Sequence, residues 1–345
     1  MRKRVYIVGA GASCAQGLPA MNSLTWELCE FLSDHDRGVL EQVIFEIFGA
    51  RREGGDSSPN FEELLNCLDP RSFTYLANCG INLSGVGRTR AIEIALRGLR
   101  EYIREKCACV QDQLGPYDQF VTNLEPNATI VSFNWDVLLE LSLLRAQKPF
   151  CYLPVDAADG HTLLLKPHGS INWFALLDRE LLMIDTTSNV NIIGRDLRYY
   201  LLYLKDPLGP AEMGSSSPFA KSAISKVPAI VSPSSAKLLD VGGETHDGFV
   251  DHGHREALCE VWKQFYERVT VAEELVVIGY SLPGTDAASI EVLKAFFDRS
   301  RRQRVSIIDK NRDILTRYCN IVHSEAALVG EDFGTFDWAA FEKAL

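Results

Sequence analysis

At 345 residues, 46% of them hydrophobic and 23% charged, the chain is long enough to bury a large core, and an α/β body with insertions is the expected form. A formal net charge of -11 works against unaided binding to a phosphate backbone, so no direct nucleic-acid contact is expected, and no run of about 18 apolar residues offers a bilayer span. The opening Met-Arg-Lys-Arg leads straight into strand-like sequence without a small-residue cleavage site, and the nine cysteines lack paired spacing. A cytoplasmic protein with reduced thiols is therefore expected, and zinc is not, because no C-x-x-C pair occurs.

In chain order, the first strand is expected at Arg4 to Val8, a short apolar run that meets glycine without polar alternation, as a central parallel strand would. A helix should follow near Met21 to Leu32. From about 38 to 125 the pattern is helical and reads as an insertion or cap. Within it, "SSPNFEELLNCL" carries Asn60 as a helix cap with Glu63 three residues on, and Ile92, Leu96, Leu99, Ile103, Cys107, Val110 and Leu114 make one apolar stripe. Strand signals return at 128–133, 162–167, 229–232, 275–280 and 304–309, the last two flanked by helical pattern. The alternation predicts a Rossmann-like, doubly wound parallel sheet with helices on both faces, a single domain over 1–345 interrupted by the helical insertion. Two Pro-, Gly- and Ser-rich or polar stretches, 206–222 and 240–257, read as mobile loops, and the basic "DRSRRQRV" (298–305) as a solvated helix end before a strand.

Ligands of open α/β sheets sit beyond the carboxyl ends of the strands. Those ends carry Gly9-Ala10-Gly11-Ala12-Ser13, then Asn134-Trp135-Asp136, then His168-Gly169-Ser170, then Tyr280-Ser281, and finally Asp309 and Asn311. The glycines allow backbone N–H groups to approach a pyrophosphate. The fingerprint of hydride-transferring enzymes is nevertheless incomplete: Cys14 stands where its third glycine belongs, and no acidic residue closes a second strand about 20 positions on. Asn134 and Asp136 hold an amide-bearing ligand, a ribose or a water, or form an Asx turn that caps the next helix, and the two readings are compatible with Asp136 near the cap and Asn134 facing the pocket. His168, between Pro167 and Gly169, sits in a sharp turn and either exchanges protons near neutral pH or bonds its own turn. Ser281 is placed to donate to phosphate, Thr285 or Asp286 to start a helix, and Asp309 to accept ribose hydroxyls or open a loop. His246, His252 and His254, with Asp247 and Asp251, lack metal-ligand spacing, and no metal is expected there.

Taken in order, these segments resemble the sirtuin family. "GAGAS" with "GLP" (9–19) is similar to its first nucleotide loop, "SFNWD" (132–136) to its T-x-N-x-D segment, "KPHGS" (166–170) to its catalytic-histidine motif and "GYSLP" (279–283) to its G-T-S phosphate loop. The paired-cysteine zinc module of sirtuin deacylases is missing, "GYS" replaces "GTS", and no P-D-F-R segment follows "GLP". With "NFEELL" and "GYSLPGTD", these departures resemble the sirtuin-like NAD hydrolases of bacterial anti-phage defence. The resemblance implies NAD as a consumed substrate and Asn134 and His168 as the catalytic pair, assisted by Asp136. It implies dinucleotide contacts from Gly9, Ala10, Gly11, Ala12, Ser13, Ser132, Gly279, Tyr280, Ser281, Asp309 and Asn311. It also implies control by a homo-oligomer or by a heterocomplex with a sensor such as an ATPase or an Argonaute-like protein, with the helical insertion and Arg299 to Arg304 as candidate contact surfaces. The alternatives are a protein deacylase or ADP-ribosyltransferase using the same pocket, and a non-catalytic NAD or ADP-ribose sensor.

Overall fold

The structure, a computed structural model, describes residues 3–52, 56–68, 85–156, 159–176, 189–193, 201–209, 224–230, 252–284, 286–296, 303–322 and 325–343. Its centre is a seven-stranded sheet, all of whose pairs are parallel: β1 (Arg4–Val8), β2 (Thr129–Ser132), β3 (Phe150–Cys151), β4 (Thr162–Leu165), β9 (Glu274–Ile278), β10 (Arg304–Ile308) and β11 (Glu325–Gly330). The order across the sheet is β11-β10-β9-β1-β2-β4-β3. The chain fills one side of β1 first and then crosses to the other, so the strand order reverses between β1 and β9, where an open α/β sheet presents its crevice. β1, β2 and β9 are buried along almost their whole length, which explains their unbroken apolar runs.

Register turns this edge into a platform. Val8 pairs with Ser132 and with Ile278, so three strands end level. Beyond them the ladder continues through the turns: Phe133 N donates to Val8 O, Gly9 N to Ile278 O, Gly279 N to Ile308 O and Asp309 N to Gly330 O, all at 2.9–3.1 Å.

The helices are α1 (Ala10–Cys14), α2 (Met21–Phe31), α3 (Asp34–Phe48), α4 (Phe61–Leu68), α5 (Gly85–Val110), α6 (Pro116–Asn123), α7 (Leu138–Arg145), α8 (His252–Val271), α9 (Ala287–Lys294), α10 (Asp313–Val322) and α11 (Trp338–Lys343). The expected helix at 21–32 is α2, which buries Leu24, Thr25, Leu28 and Cys29 on one face. Asn60 caps α4, accepting from Glu62 N and Glu63 N on Oδ1. The block at 38–125 is helical as expected, but its last helix, α6, packs on α7, and Phe120 meets Tyr6 of β1 edge to face, 5.2 Å between rings. On α5 the expected stripe is present, with Leu99, Ile103 and Cys107 buried and Ile92, Leu96 and Val110 packed half-buried against the core; Ala91, Ile94 and Ala95 widen it, whereas Leu114 lies past the helix end and is 86% exposed.

A second sheet was not foreseen. β5 (Gly169–Leu176), β6 (Val190–Ile193), β7 (Leu201–Leu204) and β8 (Ile224–Ile230) form an antiparallel sheet in the order β6-β7-β5-β8, covered by α5 and α8. Of the segment at 229–232, expected in the parallel sheet, Ala229 and Ile230 end β8 instead, and 231–232 lie outside the described residues. The pattern was hidden because Ser170 and Asn172 are as buried as Ile171 and Trp173, so β5 shows no alternation of apolar and polar residues. The expected loop at 240–257 overlaps α8, which begins at His252; 240–251, with His246, Asp247 and Asp251, and 210–222 of the other loop lie outside the described residues. Arg299 to Arg302 also lie outside them, while Arg304 is paired with Glu274 at 2.8 Å.

Candidate active site

Two buried clusters stand side by side on the level carboxyl edge. The first is built on Asn134. Its Nδ2 lies 2.8 Å from Ser13 Oγ, 3.0 Å from Gly9 O and 3.2 Å from Tyr117 OH. A backbone carbonyl only accepts, so the carboxamide must turn its NH2 toward Gly9, and this fixes its orientation. Ser13 Oγ donates to Asp136 Oδ2 at 2.6 Å; its remaining contact, 3.0 Å to Tyr117 OH, then has the phenol as donor. Burial and the charge of Asp136 push the Tyr117 phenol well above its ordinary pKa, which keeps it protonated. The other Asp136 oxygen accepts from Leu138 N at 3.0 Å, at the start of α7. The Asx turn and the link to a polar cluster thus coexist in one carboxylate, with Asp136 at the cap as expected. Ser132 closes β2 and accepts from Asn134 N at 3.4 Å.

Beneath this cluster Lys166 is fully buried. Its ammonium donates to Asp136 O (2.6 Å), Glu140 Oε1 (2.8 Å) and Ser170 Oγ (2.8 Å), so each of its three protons has an acceptor. Ile171 N and Ser170 Oγ both donate to Trp135 O. The Asn134-Trp135-Asp136 segment is therefore clamped by the start of β5, through a lysine two residues before His168.

The second cluster is built on His168. The sharp turn expected there is present: Gly169 has φ +75° and donates its N–H to Lys166 O, and a Cβ at Gly169 would stand 1.9 Å from Ala229 O. The imidazole is only 2% exposed. It meets the Phe133 ring edge to face at 5.0 Å and lies near Trp262 of α8. His168 Nε2 is 2.9 Å from Asp286 Oδ2, an ion-pair distance without the alignment of a straight hydrogen bond. Asp286 also accepts from Tyr280 OH (2.8 Å) and Ser289 Oγ (2.6 Å) and caps α9. The Tyr280 ring stacks on Phe133, 4.1 Å between centroids, and its hydroxyl is engaged by Asp286, so this side chain is a wall of the His168 cluster. Phe133 joins the two clusters, being the neighbour of Asn134 in sequence and of His168 in space.

The glycine turns lie at the strand-order reversal. Gly9 N and Gly11 N are donated to Ile278 O and Gly279 O, both at 2.9 Å. These two N–H groups are engaged within the chain, and the turns press on each other: a Cβ on Gly9 would stand 2.5 Å from Tyr280 Cα. Ala12 and Ser13 are buried, and Ala10 is half-buried. Gly11, Ser281 and Asn311 form the exposed rim with half-buried Asp309. Asp309 accepts from Asn311 N at 2.7 Å, and burial pushes its carboxyl above the usual range. Two cations overlooked in the sequence complete the rim: Arg317, donating to Ser281 O at 3.1 Å, and Lys310, close enough to act on the Cys14 thiol. Burial and the nearby Asp136 charge still push that thiol up.

Tyr117, Glu140 and Lys166 were also missed, and Asp286 was read only as a helix start. Lys166 and Asp286 stand inside the quoted segments "KPHGS" and "GYSLPGTD"; Tyr117 gave no local signal, since its partners are more than 15 residues away. Among the described residues no group of three or more His, Cys, Asp or Glu is placed to hold a metal ion, and no helix is long and apolar enough to cross a membrane.

No protein-family model matches the chain, and the comparison with curated proteins finds no match. Among solved structures the chain is similar to a Sir2 homologue mutant in complex with ADP-ribose, at 14% identity and a TM-score of 0.44 over 99% of this chain and 93% of that one. It is similar to a Sir2 homologue–NAD complex at 13% identity and a TM-score of 0.44, covering 99% and 91% of the two chains. It is also similar to Sir2Tm bound to a propionylated peptide, at 13% identity and a TM-score of 0.34, covering 99% and 93%.

Proposed function

We propose that this chain uses NAD and hydrolyses the bond between nicotinamide and ribose, releasing nicotinamide and ADP-ribose. The observation that carries the reading is the pairing, on one carboxyl edge at the strand-order reversal, of a carboxamide and an imidazole, each held by its own buried polar partners. The rim suits a dinucleotide: Arg317 brings positive charge beside Ser281 for the diphosphate, Lys310, paired with Asp332 at 3.3 Å, lies near Cys14, and Asp309 is an acceptor for ribose hydroxyls.

The chemistry asks little of a general acid. As the C1′–N bond breaks, its electron pair goes to the pyridinium nitrogen, and nicotinamide leaves neutral while positive charge passes to an oxocarbenium-like ribose. Water forms the new C1′–O bond and gives up one proton, so NAD⁺ and water yield nicotinamide, ADP-ribose and H⁺. With Nδ2 of Asn134 committed to Gly9, Ser13 and Tyr117, its Oδ1 is the atom that orients water or a ribose hydroxyl. The Asp136 carboxylate, low in dielectric surroundings, favours the cation, and His168 takes the proton. Hydrolysis of a shared cofactor harms its own cell unless restrained, so control by assembly or by a partner protein, as in abortive infection, belongs to the same reading.

The test is to incubate the purified protein with NAD, with and without an acylated peptide, and to follow nicotinamide. Hydrolysis predicts release that the peptide does not stimulate and that Asn134→Ala and His168→Ala each lower at least about 100-fold. Release that requires the peptide supports a deacylase instead.

A further inference from the structure

The carboxylate of Asp286 does more than start a helix. Its N-cap task needs only an acceptor for Ser289 N, which Oδ1 supplies at 3.4 Å. The other oxygen, Oδ2, gathers Tyr280 OH, Ser289 Oγ and His168 Nε2 within 2.9 Å, in a site with no solvent exposure at Asp286 and 2% at His168. Two hydroxyl donors on one oxygen fix its position. Among the described residues the imidazole meets the rings of Phe133, from the turn after β2, and Trp262, from α8, with Tyr280 stacked on the far side of Phe133. The Asp286 carboxylate faces the ring across a distance at which an ion pair in a dry site is strong.

We propose that Asp286 is a positioning residue for His168, orienting the imidazole through Nε2 and balancing the charge the ring acquires when it takes a proton from water or from a ribose hydroxyl. Asp286 does not itself take that proton. The assignment rests on the hydrolase reading for its catalytic consequence, but the pairing of the two groups is testable without turnover. The carboxylate favours the protonated ring, so removing its charge while keeping the cap separates the two tasks. Asn and Ser are both good N-cap residues, and Asp286→Asn and Asp286→Ser are expected to retain α9.

The experiment follows the His168 imidazole by NMR through a pH titration of the NAD-free protein, in wild type and in both variants, and measures nicotinamide release from NAD in parallel. The expected result is a midpoint moved to lower pH in both variants. With it, kcat falls about 10- to 100-fold, KM for NAD changes less than about threefold, and the acid limb of the kcat profile moves to lower pH. A folded variant whose His168 midpoint and kcat match the wild type overturns the proposal. If the midpoint moves but the wild type releases no nicotinamide, the pairing stands and the hydrolase reading fails. If nicotinamide is released and lost with His168→Ala but not with Asp286→Asn or Asp286→Ser, the hydrolase reading stands and the positioning role fails. Asp286→Ser serves where Asp286→Asn does not fold.

Discussion

Gly279 is held tightly, with φ +59° and a missing Cβ that would lie 2.3 Å from Ala12 N. Two costs act there together, a left-handed backbone and a clash with a second backbone, and Gly279→Ala is expected to lower stability by about 2–4 kcal/mol. Denaturant melts check this, and a variant within about 0.5 kcal/mol of wild type contradicts the contact. Gly9 and Gly11 were legible as a strand-ending turn, but the second turn, 270 residues on, that presses on them was not. A local motif cannot reveal this, because spacing along the chain says which backbone is bare and not what approaches it. His168 is similar: "KPHGS" showed the sharp turn, while Asp286, which governs the ring, lies 118 positions away.

At the scale of elements, the corner between β4 and β5 carries both the Lys166 clamp and His168. Lys166 and Glu140 are a buried ion pair, 0% and 1% exposed, and removing one partner leaves the other charged and unmatched. Lys166→Met is expected to cost about 3–5 kcal/mol, and Lys166→Met with Glu140→Leu to recover most of that loss. Thermal melts of the two singles and the double make the cycle, and strictly additive losses contradict a paired interaction. The strands that carry this corner were legible unequally. β1, β2, β4, β9 and β10 announce themselves as short apolar runs because both faces of the parallel sheet are covered. β5 does not, since its polar residues Ser170 and Asn172 are buried beside Ile171 and Trp173 and do not face water. α6 was visible as a helix but was assigned to the insertion, although it carries Tyr117 to Asn134.

For the whole molecule, the thiols report how far the fold closes. Cys29 is buried and its thiol is pushed up to about 12, and Cys151 to about 11, mainly by burial; Cys107 is also pushed up, while Cys109 and Cys319 are exposed. At pH 8 the exposed pair is expected to alkylate within minutes, and the buried three only at the rate of unfolding, as peptide mass spectrometry would show. Early labelling of Cys29 contradicts the packing of α2 against its neighbours. The sheet order itself, with its reversal between β1 and β9, was only half legible: alternating strands and helices imply a parallel sheet, but which strand follows which across it is decided by tertiary pairing. That order is what brings residues 9, 134, 168 and 279 to one edge, and the account stands on their acting together. The most direct measurement is product analysis after incubation with NAD in ¹⁸O-enriched water. The account predicts nicotinamide and ADP-ribose in equal amounts, with one solvent oxygen in the ADP-ribose, and loss of both products in His168→Ala and Asn134→Ala. Equal turnover by wild type and His168→Ala would contradict it.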